Sequence, residues 1–391
     1  MADYDQKPDS QKDTHHPVQG PDNPQEYNKE TEPDTSRVYG VSPVPQRKRK
    51  GKVHKRLKWV FLGIIVLVLV VAAAVVLPLT LRKASKDVII RVPKNATIEM
   101  VRDSAEKYLG KDYAESLMAS LKIFGFDERD RHGAYLITKD MSAMRAGRRL
   151  SRGGQQGIDL VINGVRTKEQ LADLIASRLD ISSKEMLDAL NDSTLLSHYN
   201  IDTNKVMVLF INNTYQFYWN ATPQEVIRKM HNEYRKFWNN DRQELAEAMR
   251  LSRRDVAIIA SIVDEETNVP SEKGIVGRLY INRLNQNMPL QADPTLKYAI
   301  GDFGRKRILN EDKLVESPYN TYKYKGLPPG PIRTPDPATI DSILHSRSHD
   351  YLYMCADSSL NGTHHFAKDY ETHLKYARQY HQAADNKNIK R

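Results

Sequence analysis

The sequence predicts an α+β protein carried behind a single transmembrane helix. Three observations lead there. One stretch near the N-terminus is long, apolar and uncharged. Two copies of a strand–turn–helix pattern follow it. The remainder alternates amphipathic helices with loops rich in proline, glycine and tyrosine.

The apolar stretch is Trp59–Leu81 (WVFLGIIVLVLVVAAAVVLPLTL), about 23 residues without a charge and long enough to cross a bilayer as one helix. Pro78 sits near its far end, where a bend is tolerated. A cleaved signal peptide fits less well, because the run starts near residue 59 and is longer than a signal core. Arg47–Lys58 (RKRKGKVHKRLK) is densely basic, whereas only Arg82, Lys83 and Lys86 follow the span closely. The positive-inside rule then keeps residues 1–58 in the cytoplasm and exports the chain after residue 82. Much of the net charge of +10 comes from this cluster. Its position against the span makes anionic lipid headgroups its partner, and no nucleic-acid partner is expected. Residues 1–46 are rich in Asp, Gln, Pro, Ser and Thr and poor in aliphatic side chains, so they are expected to be disordered. The sole cysteine, Cys355, has no intrachain partner, so the exported part must be stable through its core alone.

In the exported part, Val88–Val92 (VIIRV) reads as a strand and Pro93 with Asn95 as a turn. Thr97 then opens a helix with Ile98, Val101 and Ala105 on one side. Ala134–Thr138 reads as another strand. Ile158–Ile162 (IDLVI), the Asn163-Gly164 turn and a capping box at Thr167–Gln170 repeat the layout, with Leu171, Leu174 and Ile175 together behind it. Modules of this kind present grooves, and an ordinary α+β domain without a ligand shares the spacing. Val206–Phe210 predicts a further strand, followed by NNTYQFYWN (Asn212–Asn220). Thr222–Trp238 predicts a helix with Val226, Met230, Tyr234 and Phe237 in the core. Ile275–Leu284 predicts another, with Ile275, Leu279 and Leu284 inward. Met288–Gly301, Ser317–Asp336 and Gly362–Tyr370 hold too much proline and glycine for long helices. Their tyrosines, amides and carboxylates suit carbohydrate binding, in which rings stack on sugar faces and polar groups reach hydroxyls.

The chemistry concentrates in SRRDVAIIASIVDEET (Ser252–Thr267). Ser252 and Asp255 form a capping-box pattern that opens a helix. Wound at about 100° per residue, the segment places Val256, Ile259, Ile262 and Val263 on one stripe, with Glu266 in its middle. Asp264 projects roughly opposite and Glu265 toward the edge. A carboxylate aimed at apolar neighbours loses hydration, its charged form is disfavoured and its pKa rises. Such a group is a general acid that holds its proton near neutral pH. If the helix instead ends at the surface, all three acids are solvated.

Other motifs carry less. Ser104 and Lys107 match the S-x-x-K of penicillin-interacting enzymes, but no S-D-N or K-T-G follows. His345 and His349 have i, i+4 spacing without the glutamate of a zinc protease helix, and His364 and His365 add two imidazoles near the end. Loop or surface histidines are the simpler reading, so no metal is expected. No phosphate-cradling glycine loop is present, so no cofactor is expected either.

Seven motifs then stand in a fixed order: ASIVDEET (Ala260–Thr267), INRL (Ile281–Leu284), LQADPT (Leu290–Thr295), SPYNTY (Ser317–Tyr322), GLPPGPI (Gly326–Ile332), YLYMCAD (Tyr351–Asp357) and HHFAKDYETH (His364–His373). From Val88 onward the chain closely resembles the endolytic murein transglycosylase family, the YceG-like or MltG proteins. The resemblance implies a transmembrane helix at 59–81 after the disordered tail of 1–58, a LysM-like α/β module or modules at 86–180, and a mixed α+β catalytic domain at 200–385. It implies a lyase of the bacterial cytoplasmic membrane, N-terminus inside and catalytic domain outside. Such an enzyme cuts the β-1,4 bond between N-acetylmuramic acid and N-acetylglucosamine in nascent strands, leaves 1,6-anhydro ends and works beside glycan polymerases and penicillin-binding proteins. The family motif, close to ASIIEKET, has its second glutamate catalytic, which falls on Glu266. Its first glutamate is Asp264 here and its lysine is Glu265, a more negative setting that is expected to raise the pKa of Glu266 further. Gln291, Asn320, Tyr322 and His365 are implied as sugar contacts or as residues that orient Glu266. Asp293 is the candidate second carboxylate that a water-using muramidase would need, or a turn former before Pro294. A non-catalytic wall-binding or division-scaffold protein is the other alternative.

Overall fold

The computed structural model describes residues 52–127, 130–305 and 307–386. The tail expected to be disordered, and the first part of the basic cluster, lie outside them. The chain divides into two units, residues 1–66 and 67–391. Helix α1, Lys52–Leu81, runs unbroken through Pro78 and is about 45 Å long. Its segment Lys55–Leu81 is apolar and long enough to cross a membrane.

The second unit is mixed α+β. It opens with β1 (Val88–Val92), α2 (Ile98–Leu109), α3 (Lys111–Ile123) and β2 (Gly133–Ile137). The strands pair antiparallel, Val88 opposite Ile137 and Val92 opposite Gly133. Val88, Ile90 and Val92 alternate inward, as a half-buried strand requires. The Thr97 side chain accepts the Met100 N–H and starts α2. Helix α4 (Ala143–Ser151) adds Ala146 and Leu150 to a core built on Ile90, Leu117, Leu121 and Tyr135.

The layout repeats with β3 (Gly157–Ile162), α5 (Lys168–Ala176), α6 (Ser183–Asn191), α7 (Ser193–Ser197) and β4 (Asn213–Tyr218), again an antiparallel pair, Ile162 opposite Asn213. The Thr167 side chain caps α5, but Gln170 returns its bond to the Arg166 N–H, so the expected box is only half formed. The strand expected at Val206–Phe210 is a 3-10 turn at Val206–Leu209, and the strand is the next segment. A short apolar run does not distinguish a buried turn from a buried strand. The period-two signal lay in Tyr215 and Phe217, which point inward, while Thr214, Gln216 and Tyr218 point outward.

Helices α8 (Pro223–Phe237), α9 (Asn240–Ala248), α10 (Arg253–Glu266) and α11 (Pro270–Asn285) follow, then α12 (Asp293–Ile300), α13 (Pro337–Leu344), β5 (Tyr353–Ala356), β6 (His364–Ala367) and α14 (Tyr370–Asn386). Helix α10 packs against α9, α11, α12 and α13. Its core is continuous with that of the second strand pair. Val226, Met230 and Tyr234 of α8 are buried, and Phe237 packs beside them. On α11 the buried residues include Val276, Leu279, Tyr280, Ile281 and Arg283, whereas Ile275 and Leu284 are half-buried. The helix is turned from the expected stripe because Gly274 and Gly277 face α13. A Cβ on Gly277 would lie 2.4 Å from Ile343 Cγ1, so glycine there permits the close crossing. Two proline- and glycine-rich segments hold short elements after all, α12 in one and β6 in another.

Candidate active site

The capping box forms as expected: Ser252 Oγ accepts the Asp255 N–H and Asp255 Oδ2 accepts the Ser252 N–H at 2.9 Å. Every residue from Val256 to Asp264 is buried, so α10 is a central helix apolar nearly all round rather than a one-sided stripe. This leaves its three terminal acids with different surroundings.

Asp264, opposite the stripe, is only 8% exposed. It meets Lys273 Nζ at 2.8 Å and accepts from the Thr339 hydroxyl at 2.5 Å and the Asp336 N–H at 2.9 Å. Glu265 is held by Arg166 and Arg333, each at 2.8 Å. Among the described residues no cation pairs directly with Glu266. The phenol of Tyr280 donates to its Oε1 at 2.7 Å. Burial pushes Glu266 from 4.5 up to about 7, opposed by the Tyr280 hydrogen bond, raised again by the charge of Asp293, and opposed by His364 and Lys297. The expected effect of the neighbouring acids is therefore corrected. Asp264 and Glu265 are neutralised by their own cations, and the carboxylate that acts on Glu266 is Asp293, on another helix.

Asp293 begins α12, with Pro294 as its next residue. It is exposed and accepts the Tyr322 hydroxyl at 2.5 Å. Burial, then the Asp293 carboxylate, pushes the Tyr322 phenol up. Tyr280 is buried and lies well above the ordinary phenol value, for want of solvent and because Glu266 is beside it. Arg283, one helical turn on, is buried. Its guanidinium donates to the Leu352 and Leu290 carbonyls at 2.6 and 2.9 Å and lies 5.4 Å from the Tyr353 ring centroid. Gln291, at φ 51°, is exposed, and its Oε1 accepts from Arg283 at 3.3 Å.

Two expected site residues are placed differently. Asn320 is fully buried. It donates to the Lys313 and Val315 carbonyls at 2.9 Å and accepts the Tyr322 and Lys323 N–H groups, so it builds the loop that carries Tyr322 and presents nothing to a ligand. His365 faces away, pairing with Asp357 at 3.0 Å and stacking on Tyr376. Its neighbour His364 is the one whose charge reaches Glu266. Adjacent residues of a strand point to opposite faces, and the sequence alone did not say which of the pair turned inward. His364 Nδ1 lies 2.8 Å from Glu272 Oε2, and its N–H donates to the other Glu272 oxygen. His345 and His349 both bond backbone carbonyls, at 2.8 and 3.1 Å. Tyr280, Arg283 and His364 were missed, although an arginine and a tyrosine within the apolar α11 pattern were a usable signal.

Residues 90–379 match the model of the YceG-like family. The endolytic murein transglycosylase of Bacillus subtilis is 28% identical over 263 residues, 63% of this chain and 72% of that protein. The endolytic murein transglycosylase of Streptococcus pneumoniae is 34% identical over 131 residues, 32% of this chain and 24% of that protein. A solved YceG-like protein from Listeria monocytogenes, 24% identical, covers 75% of this chain and 99% of its own, with a TM-score of 0.49. With a half-buried glutamate pushed up to about 7 at the end of α10 and a family match over residues 90–379, the chain belongs to the YceG-like family.

Proposed function

We propose that this chain is a membrane-anchored lytic transglycosylase, a lyase that cuts peptidoglycan strands internally, with Glu266 as its acid. Protonated Glu266 gives its proton to the glycosidic oxygen as the bond between N-acetylmuramic acid and N-acetylglucosamine breaks. The carboxylate left behind takes the proton of the muramoyl C6 hydroxyl. That oxygen closes on C1, and the product is a 1,6-anhydro end without water consumed. Such acid–base assistance contributes on the order of 10²–10⁴-fold. With Tyr280 on Oε1, the other oxygen of Glu266 serves the substrate. Asp293, which accepts the Tyr322 hydroxyl, is in this reading the group that stabilises charge on an oxocarbenium-like sugar.

One observation carries this reading: of three adjacent acids, only Glu266 has no ion pair among the described residues, and burial pushes it up to about 7. The coupling of Asp293 to Glu266 favours a second reading, a muramidase in which Asp293 directs water. The domain scheme belongs to the proposal. It has an anchor at 59–81, LysM-like grip at 86–180 and catalysis at 200–385, with the strand–helix–helix–strand unit from β1 to β2 supporting the grip. So does the topology, with the N-terminus in the cytoplasm and the site outside, beside glycan polymerases.

Mass spectrometry of strands digested by the wild type and by Glu266→Gln tests all three. Anhydro-muramoyl ends that vanish in the variant support the lyase. Reducing ends identify the muramidase, and intact strands leave a binding scaffold.

A further inference from the structure

A cavity of about 1250 Å³ opens beside the two strand pairs, and none of the residues around Glu266 lines it. Its wall is built from the end of the α3–β2 loop, the segment joining α4 to β3, the outer face of β4 and one side of α8. Three independent features of that wall point to a ligand.

The first is a pair of buried polar atoms, His132 Nδ1 and Gln155 Oε1, that have no hydrogen-bond partner among the described residues. Both side chains belong to a fixed arrangement. Gln155 Nε2 donates to the His132 carbonyl at 3.3 Å, and Asn220 donates to the same oxygen at 3.0 Å. The Gln155 amide lies over Gly133, where a Cβ would come within 2.3 Å of it. Buried polar atoms are rarely left unpaired, so a water or a ligand group is called for at this wall. The second is Tyr218. The other rings of β4 face the core, while this one is 60% exposed at the strand's end. The third is charge. Arg228, Lys229, Arg235 and Lys236 line it with two carboxylates, Glu225, paired with Arg228 at 3.5 Å, and Glu233, paired with Lys236 at 2.9 Å. Among the described residues no ion pair holds Arg235.

We propose that this cavity is a second binding site for the peptidoglycan strand, separate from the residues around Glu266. Sugars lie on the Tyr218 ring beside the His132 and Gln155 side chains, and the carboxylates of the stem peptides meet the α8 cations. A ring, unsatisfied amide and imidazole atoms, and surplus positive charge in one cavity match a hydroxyl-rich chain bearing carboxylates better than a simple anion. The identity of the ligand rests on the proposed activity, but the existence of the site does not.

The test is calorimetry on the full chain in mild detergent, with Glu266→Gln as the parent so that strands survive. One probe is uncrosslinked strands bearing stem peptides, and the other is the same strands stripped by an amidase. Tyr218→Ala, and Arg228→Glu combined with Arg235→Glu, alter exposed side chains, and circular dichroism checks that each variant keeps the parent's fold. Each should weaken binding of peptide-bearing strands by about tenfold, through the loss of a stacked ring in the first and of one or two charge-assisted contacts in the second. The charge reversal should leave stripped strands within about twofold of the parent. Unchanged affinity for peptide-bearing strands in both variants overturns the site. An equal loss on both probes overturns the recognition of carboxylates. The same substitutions with Glu266 restored should still yield anhydro ends at saturating strand. Anhydro ends with unmoved binding reject this site alone, whereas tyrosine-dependent binding by a chain that makes no anhydro ends rejects the proposed activity and leaves the site standing.

Discussion

Glu266 is raised from 4.5 to about 7 in the folded chain. The folded state therefore holds a proton that the unfolded state has already released between those values. Its favourable contribution is complete below about pH 4.5 and is lost as pH rises through about 7, a change on the order of 3 kcal/mol. The Gln variant has no proton to lose. Its melting temperature should exceed that of the wild type at pH 8 and match it near pH 4, as thermal denaturation across that range will show. In the proposed reaction the acid must start protonated, so strand cleavage should also fall above about pH 7. Two further substitutions should move that falling limb in opposite directions. Tyr280→Phe removes the hydrogen bond that favours the carboxylate, so the limb shifts to higher pH. Asp293→Asn removes the negative charge that disfavours it, so the limb shifts lower. Limbs that stay fixed in both variants would mean that a different group titrates in the rate.

At the scale of elements, α10 and α11 set the site. Capping starts α10 at Ser252, and four neighbouring helices bury it, so the last-turn acids must find partners inside the protein. Asp264 finds Lys273 on α11 and Thr339 on α13 and thereby ties three helices together. Asp264→Ala leaves Lys273 without its counterion in a largely dry place. The expected loss is about 3–5 kcal/mol, read from urea denaturation. Glu265 plays a different part. It receives Arg166, from the loop between β3 and α5, and Arg333, from the segment before α13, and so fastens the second strand pair to the end of α10. The short crossing of α11 over α13 at Gly277 keeps Tyr280 and Arg283 on the same side as Glu266.

For the whole molecule, the first strand pair has its own core while the second shares one with the helical region around α10. The most apolar part of Lys55–Leu81 buries nothing within the protein, so the fold does not use its exposed apolar surface, which is free for the proposed anchor. A chain starting at Pro78 should therefore keep the melting temperature of the full chain and its action on soluble strands, and should no longer need detergent. Calorimetry with and without detergent checks the first and the strand digest checks the second.

Local pattern was enough to reveal the apolar span, the capped helices and the glutamate of α10, because hydropathy, capping chemistry and helical period are properties of neighbouring residues. The same patterning went astray at Val206–Leu209, where a wholly buried run carries no period, and at the His364–His365 pair, where the strand's facing was set by its partner. The surroundings of three consecutive acids were beyond it as well. Lys273, Thr339, Arg166, Arg333, Tyr280 and Asp293 reach them from other helices and loops, up to 99 residues away along the chain. Whether a carboxylate keeps its proton depends on the charges and solvent around it, and folding assembles those from remote sequence.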